Sequence, residues 1–301
     1  MHWLTATVAP RSAFGTPLKG DTLFGQLCWA IRHRAGEAAL EALLEGYTAG
    51  RPFLVVSDAL PHGLAPRPEL PPLPGTRPED RKAEKKKRFL PLGAFGRPMS
   101  EALAEAVEAQ AWKTAAQPHA AISRATGTTG SGSDPYQMER KWPGKGLKLD
   151  IHLVFDPTRL DRALLETALT DIGAFGFGRD ASIGLGRLVI EGWAEGVPVG
   201  AREPDAHLAL APCAAPEGFD PSRSFWKPFV RFGRHGAEAA HSNPFKKPVL
   251  LMDTGAVLAC PMTAGFAGRG LGGNGALSTI VPGTVHQGYA PVISIRVGDW
   301  A

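Results

Sequence analysis

Cysteine is scarce in this 301-residue chain. The three present, Cys28, Cys213 and Cys260, stand far apart, with no CxxC pair and no histidine at ligand spacing. That argues against both a structural zinc site and a disulfide framework. Long apolar runs are missing as well: none approaches the ~18 to 20 residues of a membrane span. The opening MHWLTATVAP lacks the basic-then-apolar order of a secretory leader, so the chain is expected to be cytoplasmic and without a membrane partner. No GxxxxGK[ST] or GxGxxG opens a helix, which removes the Walker and Rossmann phosphate loops. No DxD or carboxylate cluster stands at a strand end to hold catalytic metals, and no cofactor is implied.

The net charge is small, +4 from 33 basic and 29 acidic residues, so its distribution matters more than its sum. Pro66 to Pro91 is dense in proline and charge and has no apolar period. Within it Arg77, Arg81, Lys82, Lys85, Lys86, Lys87 and Arg88 face only Glu79, Asp80 and Glu84, an excess equal to that of the whole chain. Such a run is either a solvated face or a nucleic-acid contact. The length exceeds the ~250 to 300 residues at which single cores stop growing, which predicts two domains.

Glycine is plentiful, 36 residues, and it clusters. Gly173 to Arg187 reads GAFGFGRDASIGLGR, five glycines in fifteen residues, with Arg179, Asp180, Ser182 and Arg187 among them. A backbone this bare lets another chain approach closely, and its charged and hydroxyl side chains suit a phosphodiester. The plainer reading is a turn that only reverses the chain. Before it, Leu160, Leu164, Leu165, Ala168, Leu169 and Ile172 predict a helix over 157–172, with Asp156 or Thr158 as its cap. After it, 187–193 alternates as a strand.

Elsewhere Trp3 to Val8 alternates as a first strand. Thr22 to Arg34 and Glu37 to Leu44 read as helices, the first capped by Asp21. Lys19, Gly20 and Asp21 sit where a helix N-terminus favours an anion, or form a plain capped turn. Phe53 to Val56 is a short apolar run, and 98–112 looks helical. Residues 119–142 have a hairpin's pattern: Ile122, Arg124 and Thr126 alternate, GTTGSGSDP makes the loop, and Tyr136, Met138 and Arg140 return. Leu147 to Phe155 is the clearest strand. The order is βαββαβ, the ferredoxin-like arrangement of RNA-recognition domains. Pro198 to Pro204 reads as a linker. Beyond it, strands are expected at 207–210, 229–232, 248–252, 256–260 and 292–297, with a second, weaker glycine loop at 265–275.

Five segments, in order, carry a resemblance: PLKGDTLFGQLCWA at 17–30, SDALPHGLAPRP at 57–68, ISRATGTTG at 122–130, GFGRDASIGLGR at 176–187 and HQGYAPVI at 286–293. Together they resemble the repeat-associated (RAMP) proteins of CRISPR systems, and within them the type III-A (Csm complex) subunit that binds the 5′ tag of the crRNA. The resemblance implies an α+β fold of two ferredoxin-like (RRM-like) βαββαβ domains, the second degenerate. Residues 1–197 would form the first, with an insertion at 66–145, a thumb hairpin at 119–142 and the glycine loop at 173–187. Residues 205–301 would form the second. It implies that Gly176, Gly178, Arg179, Ser182, Gly184 and Arg187 contact the tag. Lys19, Asp21 and Thr22 would line the neighbouring turn, and Arg124 and Thr126 would belong to the thumb. The implied partners are the crRNA, a Cas10-type large subunit, backbone RAMP subunits and, indirectly, target RNA, in antiviral defence. The Pro- and Lys-rich run matches no pattern of the family.

The alternative is a metal-independent endoribonuclease processing guide precursors, which needs a base near a 2′-hydroxyl and an acid or cation near the leaving oxygen. His33, His119 and His286 are the least obviously buried of nine histidines, and none stands in a paired constellation. The expectation is a protein that is not an enzyme.

Overall fold

The alternation at the N-terminus builds β1 (His2–Pro10), whose Leu4, Ala6 and Val8 are buried. The computed structural model describes residues 1–72, 83–109, 112–129, 134–236, 244–261 and 265–298. After β1 come α1 (Gly20–Ala35), α2 (Glu37–Leu44) and β2 (Leu54–Pro61). The insertion follows, with β3 (Leu64–Pro66) paired to β4 (Phe89–Pro91) and a hairpin of β5 (Trp112–His119) and β6 (Tyr136–Pro143). Then come β7 (Leu149–Phe155), α3 (Arg162–Phe175) and β8 (Leu188–Glu195).

These strands form an antiparallel sheet of order β2-β7-β1-β8, with α1 joining β1 to β2 and α3 joining β7 to β8. This is the βαββαβ order expected from the sequence. The cross-strand pairs Leu4–Leu153 and Ala6–Ile151 share one face of the sheet, and Thr5–His152 and Thr7–Asp150 share the other. On that second face Thr7 Oγ1 donates to Asp150 Oδ1 at 2.8 Å, and Thr5 Oγ1 lies 2.9 Å from His152 Nδ1. RNA-recognition modules stack bases on their open sheet face. Here that face is covered around Trp3, which is 6% exposed, and His152, 1% exposed, with Gly265 of the second half against the Trp3 ring, while Thr5 and Thr7 are half-buried and Ala194 opposite Thr5 is exposed.

The second half contains β9 (Ala206–Ala209), β10 (Pro228–Arg231), β11 (Val249–Met252), β12 (Val257–Leu258), β13 (Phe266–Gly268), β14 (Leu271–Gly272), β15 (Val285–His286) and β16 (Tyr289–Ile295). Four form an antiparallel sheet of order β12-β9-β16-β13, while β10–β11 and β14–β15 are two-stranded ribbons. The strand order differs from the first sheet, and no α-helix follows Phe175 among the described residues. The second glycine-rich segment contributes β13 and β14. No helix among the described residues is long and apolar enough to cross a membrane.

The halves share one core, in which Leu4, Leu54 and Leu153 are continuous with Leu208, Val257 and Ile293. Gln287, fully buried, accepts the Val56 N–H on Oε1 and donates from Nε2 to the Val56 carbonyl, both at 2.8 Å. Asp58 N–H donates to Leu210 O at 2.9 Å, and Tyr289 Oη to Tyr47 O at 2.7 Å. The second half thus covers the β2 edge of the first sheet. At the opposite edge β8 pairs only with β1 among the described residues.

Four sequence expectations need correction. The helix at 98–112 shrinks to one turn, Met99–Ala102, and a 3-10 turn, Leu103–Glu105, after which Val107 is drawn into a bridge with Phe89. The helix expected from 157 starts at Arg162, and its cap is Asp161, whose carboxylate accepts the Leu164 N–H; Asp156 instead closes the preceding turn on Thr158. Asp21 lies inside α1 and does not cap it. The hairpin's return strand starts at Tyr136 as expected, but its first strand lies farther from the tip, with His119 opposite Tyr136, so Ile122, Arg124 and Thr126 fall in the loop between them. That loop is closed by Ser123 N–H donating to Thr128 O at 2.9 Å. Residues 130–133 of the expected tip and 77–82 of the basic run lie outside the described residues.

Candidate nucleic-acid interface

Between α3 and β8 the glycine loop is pinned at both ends, and its tip is a 3-10 turn, Ala181–Ile183, in which the Gly184 N–H donates to Ala181 O at 3.0 Å. Close packing accounts for most of its glycines. A Cβ would lie 2.4 Å from Leu188 O at Gly173, 2.4 Å from Leu185 O at Gly176 and 2.5 Å from Thr16 Cβ at Gly178. Gly186 is tighter still: its N–H donates to Ala13 O at 2.8 Å, its carbonyl accepts the Phe177 N–H at 2.9 Å, and a Cβ would stand 2.2 Å from Phe177 O. Gly184 differs: φ is 95° and, apart from its two chain neighbours, no atom of the described residues lies within 4 Å of where its Cβ would be. Asp180, φ 65°, is the one non-glycine with positive φ among the described residues, a conformation that aspartate tolerates better than most.

The loop is tied to the segment between β1 and α1. Arg11 N–H donates to Arg187 O at 2.8 Å, Arg187 N–H to Ser12 Oγ at 2.9 Å and Arg179 N–H to Thr16 Oγ1 at 2.9 Å. Phe177 is fully buried beneath it. The tip faces solvent: Ser182 is exposed and Ile183 is 64% exposed. The Arg187 side chain is exposed and forms no ion pair among the described residues.

The hairpin base completes this surface. Phe14 and Lys141 exchange backbone hydrogen bonds of 2.8 and 2.9 Å, and the Phe14 ring meets Trp112 edge-on at 5.4 Å. Arg179 donates to Glu139 O at 2.9 Å. Arg140, nearly buried, donates to Gln117 and to His119 Nε2 and stands 3.8 Å from Asp180. Arg124 and Thr126 lie in the hairpin's far loop, both exposed, with Thr126 Oγ1 3.0 Å from Thr128 Oγ1.

The predicted neighbouring turn is organised differently. Lys19 Nζ is held by Asp253 at 2.7 Å, Asp58 at 3.0 Å and Thr254 at 3.0 Å, and sits over the Phe229 ring. Burial works against its charge, but the two carboxylates outweigh it and raise the ammonium above its ordinary range. Gly20 N–H donates to Asp58 Oδ1 at 2.8 Å, so the anion at this helix start is the chain's own carboxylate. Asp21 has no exposed side-chain surface; Arg231 holds it with bonds of 2.6 and 2.8 Å, and His286 Nε2 is 3.5 Å away. Thr22 is half-buried and bonded to Asp21. The structure therefore brings the loop and the hairpin base together, and turns Lys19 and Asp21 inward to join the halves.

Sequence reasoning passed over Phe175, 76% exposed at the end of α3, and Ile183. The sequence offered no signal to separate them from Phe177 and Leu185, each two residues away in the same loop and buried. Of the three candidate histidines His33 is exposed, His119 stacks on Tyr136 at 5.3 Å, and His286 is buried, which pushes its imidazole down to about 4.

No protein-family model and no curated protein matches the sequence. Among solved structures the chain is similar to Csm4 in a Csm1–Csm4 cassette in complex with pppApA, with a TM-score of 0.62 and 16% identity over 99% of this chain and 100% of that one. The same cassette in complex with cA4 gives 0.63 and 15% over the same shares. The Csm3–Csm4 subcomplex of the type III-A CRISPR-Cas interference complex gives 0.57 and 12%, over 95% and 99%. From end to end, the chain has the fold of the Csm4 subunit of type III-A CRISPR assemblies.

Proposed function

We propose that this chain is the subunit of a type III CRISPR effector complex that binds and caps the 5′ tag of the crRNA, bridging a Cas10-type large subunit to the backbone RAMP subunits. The observation that carries the reading is the loop at 176–187, pinned at both ends yet open around Gly184. A bare backbone there admits a phosphate oxygen that any side chain would hold off. Arg179 and Arg187 add salt-dependent attraction. Phe175 and Ile183 supply apolar faces for bases splayed from the strand, the usual way single-stranded RNA is read. The fold likeness to Csm4, seen with Csm1 and with Csm3, supports the classes of partner.

The chain is proposed to be non-catalytic. Among the three candidate histidines, the endoribonuclease reading has His119 beside Tyr136 and Arg140 to stand on. Arg140 is taken up by Gln117, His119 and Asp180, so it braces the hairpin instead of meeting a leaving oxygen. The test is to co-express the chain with its neighbouring subunits and sequence the co-purifying RNA for wild type and for a Gly184→Val, Arg187→Ala variant. RNAs sharing one 5′ sequence in wild type, and lost in the variant, are the expected result. Random ends in both would overturn the reading.

A further inference from the structure

The part of the insertion that precedes the hairpin, unassigned so far, forms one wall of a cleft of about 1320 Å³. Its other walls are the segment at 16–19, residues 58–61, the hairpin base at Trp112 and Lys141, and Lys227, Asp253 and Thr254 of the second half. The volume exceeds the ~300 to 1,000 Å³ usual for a small-molecule site and suits a stretch of polymer.

The charges lining the cleft do not balance. Four cations are matched within it: Lys19 by Asp58 and Asp253, Arg67 and Lys87 by Glu84, and Lys227 by Glu69. That engages every carboxylate of the lining. Lys85, Arg88 and Lys141 remain, and their side chains form no ion pair or hydrogen bond among the described residues. Their placement is defined. Arg67 Nη1 donates to Glu84 O at 2.7 Å and Arg67 N–H to Arg88 O at 2.8 Å, fixing the 84–88 turn, while Phe14 fixes the Lys141 backbone. The cleft is also continuous with the glycine loop, because Thr16, which accepts the Arg179 N–H, is part of its lining.

We infer that this cleft holds a stretch of single-stranded RNA flanking the nucleotides at the loop, with phosphates paired to Lys85, Arg88 and Lys141. The inference rests on the RNA-binding reading above. RNA fits better than an acidic peptide because the site opens directly from the loop surface and offers cations on more than one wall, as a backbone with a charge at every residue requires.

The test uses the full chain purified with its neighbouring subunits and single-stranded RNA of the co-purifying sequence. Wild type is compared with Lys85→Gln, Arg88→Gln, Lys141→Gln and with the loop variant Gly184→Val, Arg187→Ala. The triple variant is expected to keep RNAs with the shared 5′ end, to lose nuclease protection beside them, and to lower the slope of log affinity against log salt by about 2, at ~0.7 per phosphate contact. Should Lys141→Gln disturb the hairpin, Lys85→Gln with Arg88→Gln alone lowers the slope by about 1.4 on the same basis. Unchanged slope and protection, with the loop variant still losing RNA, would overturn the cleft assignment and leave the capping reading intact. Loss of a protein subunit with RNA protection unchanged would also overturn it, in favour of a protein tail. Loss by neither variant would remove the capping reading itself.

Discussion

The two glycines at the far end of the loop separate its scaffold from its working surface. Gly184→Ala meets no atom of the described residues beyond its two chain neighbours, so its cost is the left-handed backbone alone, about 1 to 2 kcal/mol. Gly186→Ala carries the same conformational cost and also drives a Cβ to 2.2 Å from Phe177 O and 2.4 Å from Phe177 N. Neither atom can yield by turning a side chain, so the Phe177–Gly186 bond opens and Phe177, now fully buried, is displaced. A lost hydrogen bond at about 1 kcal/mol and a displaced aromatic at about 1.5 to 3 kcal/mol bring the total to roughly 3 to 6 kcal/mol. Urea unfolding of the two variants, followed by tryptophan fluorescence, reads the difference directly. Gly184→Ala should unfold close to wild type and Gly186→Ala far below it. Equal losses of stability would show that the loop is not pinned as described and would refute the argument.

Asp21→Asn removes the buried partner of Arg231 and is expected to cost about 3 to 5 kcal/mol, read as a lowered midpoint in thermal unfolding. Burial pushes the imidazoles of His152 and His286 down to about 4 from 6.5, so the folded chain keeps both neutral where the unfolded chain binds protons. Stability is therefore full above pH 6.5 and falls as pH drops towards 4, by up to about 1.4 kcal/mol per pH unit for each imidazole. A series of unfolding curves from pH 7.5 to 4 checks this, and His152→Gln should flatten the slope. His119→Ala should leave the 5′ ends and lengths of bound RNA unchanged on sequencing.

Periodicity made the first sheet legible, because Leu4, Ala6 and Val8 alternate and α3 carries its leucines at helical spacing. The hairpin was misplaced because β5 is exposed at nearly every position, so no apolar alternation marks where it lies. The helix expected at 98–112 failed because helix-forming alanines say nothing of the bridge that Phe89 offers Val107. At the site, the glycine loop stood out in composition, whereas the inward turn of Lys19 and Asp21 depends on Asp58, Asp253 and Arg231, up to more than two hundred residues away in sequence. Local pattern carries no record of such partners.

The two edges of the first sheet give this protein a direction. Along β2 the hydrogen-bonding groups of Val56 are consumed by Gln287, while β8 keeps an outer edge to which no strand is paired among the described residues. Strand addition from a like subunit can therefore proceed on one flank and is refused on the other.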